Sequence, residues 1–185
     1  MDKIRTFISL NIEPGLKEKL LLIQNDVKNE LIGSNVKWTD SSKFHLTLRF
    51  LGNLGPDVIE ELIAKLGVIK TGFNRLKFYT SGIGFFPNAK YPNVVFAGLE
   101  EEGNNSEKLI EKIDSIINQH GIKPDKKFVP HVTLGRFKHE RREKPAGNVN
   151  VKFENFELEF RSFFLMKSIL SSAGPEYEVI KEFKL

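Results

Sequence analysis

Two nearly identical tetrapeptides, His45-Leu46-Thr47-Leu48 and His131-Val132-Thr133-Leu134, lie 86 residues apart in a chain of 185. Their flanks match as well. A Lys-Phe step precedes each (Lys43-Phe44 and Lys127-Phe128), and an Arg-Phe pair follows each (Arg49-Phe50 and Arg136-Phe137). A repeat at close to half the chain length is what two copies of one structural unit produce, so the fold is restricted to architectures that can be built twice and joined. Side chains alternate along a strand, so His45 and Thr47 share one face while Leu46, Leu48 and Phe50 take the other. His131 and Thr133 stand together likewise, opposite Val132 and Leu134. A single His-x-Thr on a strand is ordinarily a half-buried surface pair; the second copy, in a matched context, is what points to a shared site.

The remaining patterning says what surrounds those strands. Ile4 to Ile12 alternates as a strand, and Pro14 then opens a helix where its missing N–H does no harm. Leu16, Leu20, Ile23, Val27 and Leu31 form an apolar stripe along that helix. A second helix is expected after Pro56, with Ile59, Leu62, Ile63 and Leu66 inward and Gly67 as terminator. A third is expected from about Ser106 to His120, capped by Asn104 or Asn105 and stopped at Gly121. Strand-like runs lie at Phe44 to Leu51, Arg75 to Ile83, Asn93 to Leu99 and Lys127 to Phe137, and the chain after Asn148 reads as strands. The charged stretch Lys138 to Asn150 is expected to be a mobile loop. There is no Walker loop and no G-x-G-x-x-G, and the strand-to-helix turns lack the glycines of doubly wound folds. The expected class is therefore α+β: two pseudo-symmetric lobes of antiparallel sheet, helices on the outer faces and a groove between, all in one domain spanning 1–185.

Composition narrows the chemistry. There is no cysteine, which removes disulfides, thiolate metal sites and a cysteine nucleophile and suits a reducing cytoplasm. No apolar run approaches the roughly 20 residues a bilayer crossing needs, so a cytoplasmic protein without a membrane partner is expected. It is expected to be monomeric. A net charge of +4 is compatible with an anionic partner but does not demand one.

Two imidazoles on facing strands suit the hydrolysis of a cyclic phosphodiester, which needs a base for water and an acid for the departing alkoxide on opposite sides of phosphorus. The ordinary imidazole pKa of about 6.5 lets one ring be neutral and the other protonated near neutrality. Thr47 and Thr133 can donate hydrogen bonds to the non-bridging oxygens, where charge builds up. A guanidinium fork suits the phosphate, and both Arg136 and Arg49 are candidates. Strict alternation gives Arg49 the parity of His45, while Arg136 needs a bulge or strand end at Gly135 to share a face with His131. Arg136 is preferred of the two. The histidine spacing, without a carboxylate or cysteine motif nearby, is not that of a metal site, so neither metal nor cofactor is expected. His120, at a helix end, and His139, in the charged loop, need no catalytic role.

The chain resembles the two-histidine (2H) phosphoesterases, and among them the RNA 2',3'-cyclic phosphodiesterases once described as 2'-5' RNA ligases. The resemblance rests on Arg5-Thr6-Phe7-Ile8, Trp38 to Leu51, Gly84-Phe85-Phe86-Pro87, Phe128 to Arg136 and the closing Ser168 to Tyr177. It implies a bilobal fold with pseudo-twofold symmetry and a positively lined groove, with His45 as proton donor, His131 as proton acceptor and Arg136 on phosphate. It also implies opening of RNA 2',3'-cyclic phosphate ends to 2'-phosphates without metal, with tRNA fragments among the substrates. The alternatives within this reading are 2'-5' linked or other cyclic nucleotides, reverse 2'-5' ligation, or an RNA-end binding module without turnover. Phe85 or Phe86 is expected to stack on a base, with at least one of them in the core.

Overall fold

The computed structural model describes residues 3–124, 127–138, 149–171 and 174–185. Of the charged stretch Lys138 to Asn150 expected to be mobile, residues 139–148, His139 among them, lie outside the described residues. The chain runs β1 (Ile4–Asn11), α1 (Pro14–Glu30), β2 (Val36–Trp38), a 3-10 turn (Ser41–Lys43), β3 (His45–Leu54), α2 (Pro56–Leu66), β4 (Leu76–Phe86) and β5 (Val94–Glu101). It continues through α3 (Asn105–Asn118), β6 (His131–Phe137), β7 (Glu157–Phe160), β8 (Ser162–Ser171) and β9 (Gly174–Lys184).

The three helices begin and end close to where their signals lie, though not always for the expected reason. Pro14 occupies the first turn of α1 and Pro56 that of α2. Asn104 caps α3 without a side-chain hydrogen bond; instead the Glu101 carboxylate at the end of β5 accepts from the backbone N–H and the hydroxyl of Ser106. Gly121 follows α3 with a φ of 71°, the left-handed turn that glycine allows. Gly67 ends α2 in right-handed geometry, with a φ of −67°. Ile63, expected inward, is only partly covered, whereas Ile59, Leu62 and Leu66 are buried.

The antiparallel strands form one curled sheet in the order β7-β4-β5-β6-β3-β1-β8-β9, with β2 alongside β6. The class is α+β as expected, and the two lobes share a continuous sheet. Its order is symmetric about the centre. The motif strands β3 and β6 are innermost, and each is followed outward by the strand that precedes it across a helix, β1 beyond β3 and β5 beyond β6. The two motif strands meet at one backbone pair, Leu46 with Val132, the residues that follow the two motif histidines. Equivalent residues paired with each other mark a local twofold axis. Both side chains are fully buried beneath the sheet, and burial of that kind is worth about 1.5–3 kcal/mol per residue. A slip of one residue would turn both into solvent and both histidines into the core, so the register is strongly specified.

Candidate active site

From the Leu46–Val132 pair, antiparallel register carries His45 opposite Thr133 and Thr47 opposite His131, all on the face away from the helices. The imidazoles are held alike. His45 Nδ1 lies 2.8 Å from the Lys43 carbonyl, and His131 Nδ1 lies 2.7 Å from that of Val129, two residues upstream in each case. A carbonyl only accepts, so each Nδ1 carries a proton and donates it, leaving Nε2 as the working nitrogen. His45 Nε2 is 3.0 Å from the Thr47 hydroxyl, which donates to the neutral ring and accepts from the protonated one.

Each ring also packs against a pair of aromatic side chains that touch one another. Phe7 and Tyr177 flank His45 at centroid distances of 5.1 and 5.0 Å, and Phe96 and Phe86 flank His131 at 5.1 and 5.0 Å. Phe86 and Phe96 stack on each other at 4.3 Å. Gly84 makes that possible, because a Cβ there would lie 2.3 Å from the Phe96 ring. This packing governs the protonation of the imidazoles. Burial lowers the His45 pKa to about 4, helped by the charges of His131, Lys17 and Arg136 and opposed by the Lys43 carbonyl. Burial lowers that of His131 too, with Arg136 adding to the effect and the Val129 carbonyl opposing it. An anion placed between the rings would reverse the electrostatic part and raise both.

Both motif strands carry a bulge immediately after their threonine, and the bulges decide which arginine reaches this face. In β3, Ser9 pairs with Thr47 and Ile8 with Arg49, so Leu48 is an extra residue. In β6, Phe96 pairs with Thr133 and Val95 with Gly135, so Leu134 is the extra one. Two successive residues then point to the core, and parity reverses beyond them. Leu134 and Gly135 are both buried and Arg136 emerges on the histidine face, exposed, where its charge acts on His45, His131 and Tyr177. Gly135 is needed less for the bulge than for β2: a Cβ there would lie 2.6 Å from Val36 and 3.0 Å from the Trp38 ring.

Arg49 is corrected by the same device. The expectation that it shares the face of His45 assumed strict alternation, but the Leu48 bulge turns it to the helix side. There its Nε and Nη2 donate to Asp114 of α3 at 2.7 and 2.8 Å, and its Nη1 donates to the Leu48 carbonyl at 3.0 Å. Of the two phenylalanines, Phe85 takes the core position and not the base-stacking one. It lies opposite fully buried Val95, packs against the core and sits 6.3 Å from the Phe137 ring. Phe86 alone of the two borders a histidine. His120 lies away from the motifs, where its Nδ1 comes within 3.7 Å of Glu61 on α2.

The structure thus gathers His45, His131, Thr47, Thr133, Arg136 and Phe86 on one face. It adds Phe7, Phe96 and Tyr177, which motif reasoning missed. Tyr177 stands 132 residues from its neighbour His45 with no local pattern around it, and only long-range strand order brings it there. Lys17, Arg5 and Lys37 add positive charge nearby. Lys17 acts on His45 and Arg5 on Tyr177, and Lys37 lies directly across from Arg136.

The chain is similar to known proteins along nearly its whole length. The LigT-like phosphoesterase family model matches residues 10–96 and 98–177. An Archaeoglobus fulgidus protein named RNA 2',3'-cyclic phosphodiesterase is 31% identical, over 98% of this chain and 100% of its own. One of the same name from Aquifex aeolicus is 30% identical over 100% and 99%. Among solved structures, Escherichia coli LigT complexed with 3'-AMP superposes with a TM-score of 0.80 at 18% identity, covering 99% and 98% of the two chains. A Thermus thermophilus protein does so with a TM-score of 0.77 at 29% identity, covering 98% of each. The duplicated histidine strands, the symmetric sheet that pairs them and a family match across nearly the whole sequence place this chain in the LigT-like phosphoesterase family.

Proposed function

We propose that the chain hydrolyses RNA 2',3'-cyclic phosphodiester ends to 2'-phosphomonoesters by two-histidine acid–base catalysis without a metal. The observation that carries this reading is the matched tethering of the imidazoles, each with Nδ1 on a backbone carbonyl and Nε2 on the shared face. Full-length relatives at about 30% identity bear the name of that activity.

His131 Nε2 takes a proton from water as the water oxygen bonds to phosphorus. On the far side the bond from phosphorus to O3' breaks, and His45 Nε2–H protonates the departing oxygen, leaving the phosphate on O2'. Proton exchange with solvent then resets the two rings. Family resemblance supports this order of donor and acceptor. Thr47 and Thr133 donate to the non-bridging oxygens, and Arg136 clamps them with its fork of N–H groups. Phe86, beside His131, supplies the aromatic ring for a base to stack on. The anionic phosphodiester itself supplies the field that raises the His45 pKa from about 4 and keeps the donor charged. We further infer that the protein acts as a cytoplasmic monomer on free RNA ends such as tRNA fragments; among the described residues no helix is long and apolar enough to cross a membrane.

The test is hydrolysis of a cyclic-phosphate-ended oligonucleotide in excess chelator, with the phosphate position of the product determined and 2'-5' dinucleotides run in parallel. Turnover to a 2'-phosphate is expected. Loss of turnover with chelator, a 3'-phosphate product, or preference for the 2'-5' linkage would each overturn a stated part of the reading.

A further inference from the structure

One buried amide has no part in the chemistry above. Gln24 lies on the inner face of α1 with 1% of its surface exposed. Its Nε2 donates two hydrogen bonds, at 2.8 Å to the Leu134 carbonyl and at 2.7 Å to the Thr39 carbonyl. The Thr39 N–H donates to the same Leu134 carbonyl at 2.9 Å. Leu134 is the extra residue of the β6 bulge, and it marks the point where β6 leaves β3 and takes up β2. A bulge leaves its extra residue outside the ladder, so the Leu134 carbonyl needs donors from elsewhere.

The other bulge is served in a related way. The Leu48 carbonyl accepts from Arg49 Nη1, and Arg49 is held by Asp114 of α3. The helix of the first half therefore secures the bulge of the second, and the helix of the second half secures that of the first. An amide does it in one case and a guanidinium–carboxylate pair in the other.

We propose that Gln24 is a positioning residue for the phosphate clamp, its amide holding the Leu134 bulge that turns Arg136 into the groove. This rests on the reading that Arg136 binds the substrate's phosphate. If β6 straightened between Thr133 and Gly135, Arg136 would return to the face of Val132. Gln24 suits the task because one nitrogen presents two N–H groups to two carbonyls. Leucine fills much of the same volume and supplies neither, and a glutamate sets acceptor against acceptor.

A double-mutant cycle of Gln24→Leu and Arg136→Ala tests this, read by the Kd for adenosine 2'-monophosphate and inorganic phosphate and by kcat and KM on a 2',3'-cyclic nucleotide. Gln24→Leu should weaken binding of both anions about tenfold to a hundredfold and raise KM in step, with a smaller change in kcat. Added to Arg136→Ala it should change Kd about twofold or less, because the effect acts through that side chain. Gln24→Glu is the second variant and should lose phosphate binding in the same way. Multiplying losses in the double mutant, unchanged anion affinity in either folded variant, or failure of both variants to fold would overturn the proposal. So would a wild type that binds neither anion. A wild type that binds them but does not hydrolyse cyclic phosphates would sink the functional reading and leave the cycle standing.

Discussion

Arg49 and Arg136 lie on opposite faces of the same sheet, although each closes a copy of the same motif. Both strands bulge after their threonine, but β6 carries one additional residue, Gly135, before its arginine. That residue sends Arg136 to the groove, while Arg49 is held beneath it by Asp114.

Substitution should separate the two arginines completely. Arg136→Ala should lower kcat/KM about 100- to 1000-fold with little loss of stability, since its side chain is exposed. Arg49→Ala should cost about 2–4 kcal/mol in urea denaturation, because it leaves a half-buried Asp114 carboxylate and the Leu48 carbonyl without their donors. It should leave KM close to that of the wild type.

The pH profile of activity should differ between the free and the bound enzyme. Burial lowers both imidazole pKa values, that of His45 to about 4. The kcat/KM profile reports the free enzyme, so its maximum should lie on the acid side of about 6.5. A bound phosphate raises both values, so the kcat profile should be displaced to higher pH. Coincident profiles would contradict the electrostatic account.

Stability should depend on pH through the same group. The His45 pKa is lower folded than unfolded, so its contribution is fully present above about 6.5 and is lost as pH falls through that value towards 4. The loss should be on the order of 3 kcal/mol by denaturant midpoint. His45→Gln should flatten that part of the curve.

The aromatic collar can be probed by spectroscopy. Tyr177 meets the His45 ring edge-on at 5.0 Å. Tyr177→Ala should admit water and raise the His45 pKa towards its ordinary value, whereas Tyr177→Phe, which keeps the ring, should leave it near the wild-type position. Imidazole proton shifts followed by NMR through a titration would show either result.

Much of this architecture is legible in the residues. Pro14, Pro56 and Gly121 mark helix boundaries chemically, and the duplicated motif fixes the symmetry and the face on which chemistry occurs. Bulges are harder to see. Both Leu48 and Leu134 look like ordinary core residues of an alternating strand, and the extra residue in each shows itself only against the register of its partner strand. The glycine at 135 hints at one bulge; nothing at Leu48 hints at the other, so alternation alone gives Arg49 the wrong parity. Phe85 and Phe86 are adjacent and alike, so only the position of β5 opposite them distinguishes the core ring from the groove ring. Gln24 sits inside an apolar stripe and reads as a lapse in the pattern until the Leu134 carbonyl is placed above it.

The pairing of Leu46 with Val132 across the centre has a further consequence. Two identical halves meeting at a dyad would present identical imidazoles in identical surroundings, and neither ring could be preferred as acid or as base. Joining the halves in one chain lets their surroundings diverge. Here one histidine is boxed by phenylalanine and tyrosine and the other by two phenylalanines, and only one motif sends an arginine to the groove. Direction in the reaction, from one side of phosphorus to the other, can be encoded only by a molecule whose two sides have ceased to be copies.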